Sequence, residues 1–129
     1  MAEKEKVIKL RVWAVLGASN NPQKFGYKIT KALNEAGKTV NPINPKEETI
    51  LGLKSYSDIT QLPQTPEVID FVVPKEVGKS IIDTGNIPKE TILWFQPGSF
   101  DDELVQYAQS KGYDVVSDGC VLVELRNLI

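Results

Sequence analysis

Residues 14–29 read AVLGASNNPQKFGYKI, and the order of residue types in this stretch decides the fold. Four residues from Ala14 end at Gly17, two small residues and two asparagines follow, and a helical pattern then begins. Asn21 is a suitable N-cap, Pro22 suits a first helical position, and Gly37 suits the residue after the helix end. Phe25, Ile29, Ala32, Leu33 and Ala36 recur at three- and four-residue spacing and predict one apolar helix face. A buried strand that turns tightly into an amphipathic helix is the first unit of an α/β layer structure.

Outward from this unit the pattern repeats. Apolar runs at 12–17, 39–44, 68–74, 91–98 and 113–119 are rich in β-branched and aromatic residues. Several are apolar at consecutive positions, as expected of parallel strands covered on both faces. Helices are predicted over about 75–83 and 101–111, the latter with Asp101, Asp102 and Glu103 matched to its dipole. A short C-terminal helix is predicted in CVLVELRNLI, residues 120–129. The stretch 45–66 shows no clear period and leaves room for a short strand or a one-turn helix near residues 57–62. The expected fold is a Rossmann-like three-layer α/β/α domain with a five-stranded, mostly parallel sheet in the order 3-2-1-4-5. A single domain over residues 1–129 is expected, with residues 1–6 as a ragged N-terminus.

Composition narrows the chemistry. The 129 residues are 41% apolar and 25% charged, with fifteen Lys and Arg against seventeen Asp and Glu. A net charge of −2 does not suit a nucleic-acid binder that neutralises phosphates. No apolar run approaches the ~20 residues of a membrane span, and the alternating charges of MAEKEKVIK do not make a signal peptide. The one cysteine, Cys120, cannot form an internal disulfide and fits a reducing compartment, so a cytoplasmic location is expected. There is no histidine, which removes Ser-His-Asp and Cys-His systems, imidazole bases and phosphohistidine from the chain. With one cysteine and no histidine, no soft-metal site is expected.

In such folds ligands sit beyond the C-terminal strand ends. After the first strand, Gly17 permits a tight turn, while Ala18 and Ser19 are small enough for close approach. Backbone N–H groups at the helix start, the Ser19 hydroxyl and the Lys24 ammonium together suit an anion; a plain strand–turn–helix connection is the alternative. The NAD fingerprint fails twice. Ser19 and Pro22 stand where the second and third glycines belong, and INPK at 43–46 replaces the acidic residue that holds the ribose. A lysine beside a ribose suits one that carries a phosphate, as in NADP and coenzyme A.

VLGASNNPQKFGYKITKALNEAGKTVNPINPKEETILGLKSYSDITQLP at 15–63, FVVPKE at 71–76, WFQPG at 94–98 and VVSDGC at 115–120 carry a resemblance. The chain resembles the N-terminal CoA-binding domain of ADP-forming acyl-CoA synthetases and of the succinyl-CoA synthetase α subunit. Its later stretches look like the small stand-alone CoA-binding proteins, and the similarity covers roughly residues 8–124. The resemblance implies that Gly17, Ala18, Ser19 and Asn20 line the CoA pyrophosphate and that Lys24 and Lys46 face phosphates, Lys46 the 3′-phosphate. It implies that Asn44 and Pro45 shape the ribose side, Val73 and Pro74 wall the adenine, and Gln96 and Pro97 border the pantetheine path. The synthetases form a phosphohistidine in a later domain, which this chain lacks. Binding of CoA or a short acyl-CoA without catalysis is therefore expected. Three other readings stay open: a CoA-binding subunit of a ligase or transferase completed by a partner chain, a nicotinamide-nucleotide sensor, and a pure interaction module. Cys120 and Trp94 are read as packing, and Asp118 as the cap of the last helix.

Overall fold

Each of the five apolar runs becomes a strand of one parallel sheet in the computed structural model, which describes residues 2–128. A one-turn helix α1 (Lys4–Val7) precedes β1 (Val12–Leu16), α2 (Phe25–Glu35) and β2 (Thr39–Ile43). A small antiparallel pair, β3 (Thr49–Ile50) and β4 (Leu53–Lys54), and a 3₁₀ turn at Ile59–Gln61 occupy the stretch without clear period. Then β5 (Val68–Phe71), α3 (Lys75–Thr84), β6 (Ile92–Phe95), α4 (Asp102–Ser110), β7 (Val115–Val116) and α5 (Val121–Arg126) complete the chain.

The sheet order is β2-β1-β5-β6-β7. The class, the three layers and the five parallel strands agree with the sequence. The third of the five main strands, β5, lies between β1 and β6 rather than outside β2, so the order counted in chain sequence is 2-1-3-4-5 rather than 3-2-1-4-5. One sequence feature explains this. β2 contains Pro42, which has no N–H to donate and is tolerated at an edge. Its carbonyl accepts from the Tyr56 N–H on the outer side at 2.9 Å.

Alternation along the strands divides the core in two. Trp13, Val15, Val68, Trp94 and Val116 face α2 and α5, while Ala14, Leu16, Ile69, Phe71, Leu93 and Phe95 face α3 and α4. Trp94 is fully buried, its ring centroid 5.8 Å from that of Trp13 and its Nε1–H donating to the Gly119 carbonyl at 2.9 Å. Asp101 caps α4 as expected, its Oδ1 accepting from the Leu104 N–H at 2.9 Å.

Three local expectations need correction. α2 begins at Phe25, with Lys24 as N-cap, because Asn21 uses its side chain to accept from the Gln23 N–H and its carbonyl to accept from Lys24 N–H. Asn21 and Pro22 therefore build a turn ahead of the helix. Phe25 is not part of the apolar face: it is 58% exposed. Residues 2–6 are not ragged, since the Ala2 N–H donates to Val115 O at 3.1 Å and α1 buries Val7; Met1 lies outside the described residues. No helix among the described residues is long and apolar enough to cross a membrane.

Candidate functional site

The sheet order puts the switch point between β1 and β5, and a cleft of about 1060 Å³ opens there beyond the strand ends. Gly17 makes it possible. Its φ is +95°, and a Cβ on it would lie 2.3 Å from the Val72 carbonyl oxygen, so the turns after β1 and β5 pass in direct contact. A Cβ on Gly26 would lie 2.0 Å from the Gly17 oxygen, so the first turn of α2 rests on the same backbone. The close helix–strand approach supplied by a third glycine in dinucleotide fingerprints comes here from Gly26.

This packing aims the start of α2 into the cleft. No side chain caps its first N–H groups, so the helix dipole and free donors face the opening. Ser19 orders the approach by accepting from the Asn21 N–H at 3.0 Å, leaving its hydroxyl proton to donate. Lys24 and Lys46 both line the cleft, are exposed, and have no ion-pair partner among the described residues.

Asn44 is a clip between the two loops. Its Nδ2 donates to the Ala18 carbonyl at 2.9 Å, its Oδ1 accepts from the Lys46 N–H at 2.9 Å, and its own N–H donates to Tyr56 O. The side chain thus fixes the turn that carries Pro45 and Lys46. Asn20 does similar work outside the cleft wall, donating to Glu47 Oε2 and Thr49 O at 3.0 and 2.8 Å.

Of the residues singled out in the sequence, Gly17, Ala18, Ser19, Lys24, Asn44, Pro45, Lys46 and Val73 share this cleft. Asn20, Pro74, Gln96 and Pro97 are outside its wall. Pro74 is the N-cap of α3. Gln96 is 3% exposed, and its Oε1 accepts from the Val121 N–H at 2.9 Å, which holds the start of α5. That bond takes the place expected for Asp118, whose carboxylate instead pairs with Lys4 at 3.7 Å.

The structure adds a wall that sequence reasoning missed. Residues 57–60 from the 3₁₀ region face Val77, Ile81, Thr84 and Gly85 of α3 and its end, with Ile43 and Val73 at the back. Ile59, Ile81, Val73 and Val77 make this lobe largely apolar. Asp58 is its one carboxylate, and it accepts from both the Thr60 N–H and the Thr60 hydroxyl. The i, i+4, i+7 spacing of Val77, Ile81 and Thr84 was the available signal in α3. The cleft therefore has a donor-rich, positively charged end at α2 and an apolar slot at α3.

Asp70 is the electrostatic exception. It is fully buried in β5, neither carboxylate oxygen has a hydrogen-bond partner, and burial pushes its acid well above the usual carboxylate range, with the Cys120 charge adding to the rise.

The chain matches the CoA binding domain family over residues 11–126. It is 32% identical over 119 residues to the α subunit of an ADP-forming acetate–CoA ligase II of Pyrococcus furiosus, a match covering 84% of this chain and 26% of that subunit. Among solved structures it resembles a conserved hypothetical protein from Pyrococcus furiosus, with 38% identity, a TM-score of 0.79, and coverage of 89% of this chain and 99% of that one. It also resembles a dinucleotide-forming acetyl-coenzyme A synthetase of Ca. Korarchaeum cryptofilum solved with phosphate and ADP, at 28% identity and a TM-score of 0.72. That match covers 91% of this chain and 27% of the synthetase. The chain thus spans about a quarter of each of these ligases.

Proposed function

Because the chain belongs to the CoA binding domain family, we propose that it binds CoA or a short acyl-CoA in the cleft at the β1/β5 switch point and catalyses no reaction alone. The observation that carries this is the pairing of an uncapped helix start, held by Gly17 and Gly26, with a free lysine after β2. The pyrophosphate lies over Gly17, Ala18 and Ser19 against the start of α2, with Lys24 beside it. Lys46, fixed on the Asn44 clip, meets the 3′-phosphate where NAD-binding folds carry a carboxylate. The adenine enters the apolar slot against Val73, between Ile59 and Ile81. Pro45 borders the ribose. The cleft volume of about 1060 Å³ lies just above the roughly 300–1,000 Å³ of small-molecule sites and suits a ligand of this length.

The cleft wall offers hydroxyls, an amide clip, two ammonium groups and one engaged carboxylate, Asp58. No nucleophile stands beside a base, which supports binding without turnover. Calorimetry and thermal shift with CoA, 3′-dephospho-CoA, NADP and NAD test the proposal. CoA is expected to bind best, with dephospho-CoA weaker and NAD weakest. No heat and no shift with millimolar CoA refutes it, and equal binding of dephospho-CoA removes the role given to Lys46.

A second reading follows from the extent of the match. The chain spans 26% of a ligase α subunit, so a partner chain carrying the remaining ligase domains would complete an enzyme. Co-purification of such a chain from native extract, with CoA-ligase activity in the complex, distinguishes this from a stand-alone binder.

A further inference from the structure

We propose that Asp58 reads the base of the bound nucleotide. Its second carboxylate oxygen accepts from the 6-amino group of an adenine in the apolar slot, so the cleft selects 6-aminopurine nucleotides over 6-oxopurine ones. This rests on the reading of the cleft as a CoA site. Asp58 is the only carboxylate that lines the cleft among the described residues. As N-cap of the 3₁₀ turn it uses one oxygen, Oδ1, to accept from the Thr60 N–H at 2.9 Å and from the Thr60 hydroxyl. Oδ2 takes neither bond. Lys24 and Lys46 line the same cleft, yet neither forms an ion pair with Asp58 among the described residues. The side chain is thus held by one oxygen and leaves the other for a ligand.

The second observation is where the donors around the slot go. Ser57, Thr60 and Thr84 are the hydroxyl residues of this lobe. Each spends its proton on the protein: Ser57 on Gln61 Oε1 at 2.6 Å, Thr60 on Asp58 Oδ1, and Thr84 on the Ser80 carbonyl at 2.8 Å. A hydroxyl has one proton, so only lone pairs remain to it. The backbone N–H groups of Ser57, Thr60 and Gly85 are also taken, by Gln61 Oε1, Asp58 Oδ1 and Ile81 O. The remaining side chains of the slot are aliphatic and donate nothing. Its side chains therefore present acceptors and no donor.

Such a slot distinguishes purines by the group at position 6. Adenine carries a donor there, an amino group, whereas hypoxanthine and guanine carry an acceptor oxygen. An oxygen facing Asp58 Oδ2 sets acceptor against acceptor, and the repulsion rejects the wrong base as effectively as the hydrogen bond holds the right one. The chain path brings the carboxylate within range. A parallel bridge joins Ile43 to Tyr56, and the Asn44 N–H donates to Tyr56 O, so residues 57 and 58 run beside Asn44 and Pro45. Adjacent strands lie about 4.8 Å apart, which puts Asp58 one strand spacing from the turn that borders the ribose. Ile59 closes the floor, its Cδ1 being 3.6 Å from a Cβ built on Gly85, and Val77, 43% exposed, offers apolar surface to the ring face.

Calorimetry with adenosine 3′,5′-bisphosphate and inosine 3′,5′-bisphosphate tests this, because the second replaces the 6-amino group by oxygen. The native protein is expected to bind the adenosine compound at least roughly tenfold more tightly. In Asp58→Asn the amide oxygen keeps the two Thr60 donors, and the NH₂ group replaces Oδ2, turning an acceptor into a donor. The preference should then vanish or reverse in favour of the inosine compound. Equal binding of the two by the native protein overturns the proposal. So does an equal weakening of both in Asp58→Asn, which makes the residue a cap and nothing more. CoA binding by the native protein with neither bisphosphate bound also overturns it, while the cleft reading stands. If neither CoA nor either bisphosphate binds, both readings fall.

Discussion

Replacing Asp70 with leucine should stabilise the protein. The two side chains have the same number of heavy atoms and the same branching, so the substitution fills the same space between Val15 and Trp94, the register partners of Asp70. What changes is the polar cost. Each buried polar group without a partner costs about 1–3 kcal/mol, and the neutral acid carries an unpaired donor and an unpaired acceptor. Allowing for imperfect fit of the methyl groups, a net gain of about 2 kcal/mol is expected, or a rise in Tm of roughly 8 °C for a chain of this size. The pH dependence gives a second and cleaner reading. Burial raises the folded-state acid well above its unfolded value, so the folded state holds a proton that the unfolded state releases. Asp70 therefore costs least below the ordinary carboxylate range. Its cost grows as pH rises from there toward the raised folded value. Urea unfolding of both proteins from pH 4 to pH 9 tests this: the advantage of Asp70→Leu should widen as pH increases. A variant less stable than the native protein, or a difference that does not change with pH, refutes the account of Asp70 as a buried, neutral, unpaired acid.

Gly26→Ala places a methyl 2.0 Å from the Gly17 carbonyl oxygen. Backbone must move, and a loss of about 3 kcal/mol in urea unfolding is expected, together with loss of nucleotide binding. Lys46→Ala should weaken CoA about tenfold in calorimetry, the equivalent of one charge-assisted contact, and leave 3′-dephospho-CoA unchanged. Gln96→Leu removes the acceptor of the Val121 N–H and should cost about 1–3 kcal/mol; a stability equal to the native protein would show that α5 is held by other contacts.

Element types were legible in the sequence because local physics decides them. β1, β2, β5, β6 and β7 are short apolar runs, and α2, α3 and α4 repeat apolar residues with helical period. The start of α2 was misplaced because Asn21 and Pro22 have the chemistry of both a helix start and a turn. The turn prevails since only a helix beginning at Phe25 brings Gly26 onto the Gly17 carbonyl. Strand order was less legible, because a crossover reaches either side of β1 with similar chain length. One residue carried the information: Pro42 suits an edge and opposes a central place for β2.

The site divides along the same line. The polar end of the cleft, Gly17, Ala18, Ser19 and Lys24 with Asn44, Pro45 and Lys46, comes from two turns whose residues lie close together in sequence, and the structure brings these residues to one cleft. The apolar slot joins Ile59 to Ile81 across twenty-two positions, and only the placing of β5 beside β1 creates it. Asp70 was hidden for the opposite reason. In the run VIDFVV an acid looks like a strand residue turned to solvent, and it becomes anomalous only once β5 is central and both its faces are covered. The corrected strand order thus accounts for three features together: the edge proline, the slot beside α3, and the buried, unpaired acid of β5. A fold with β5 at the edge would have none of them. The pH dependence of Asp70→Leu stability consequently also tests, in solution, the topology that places the cleft.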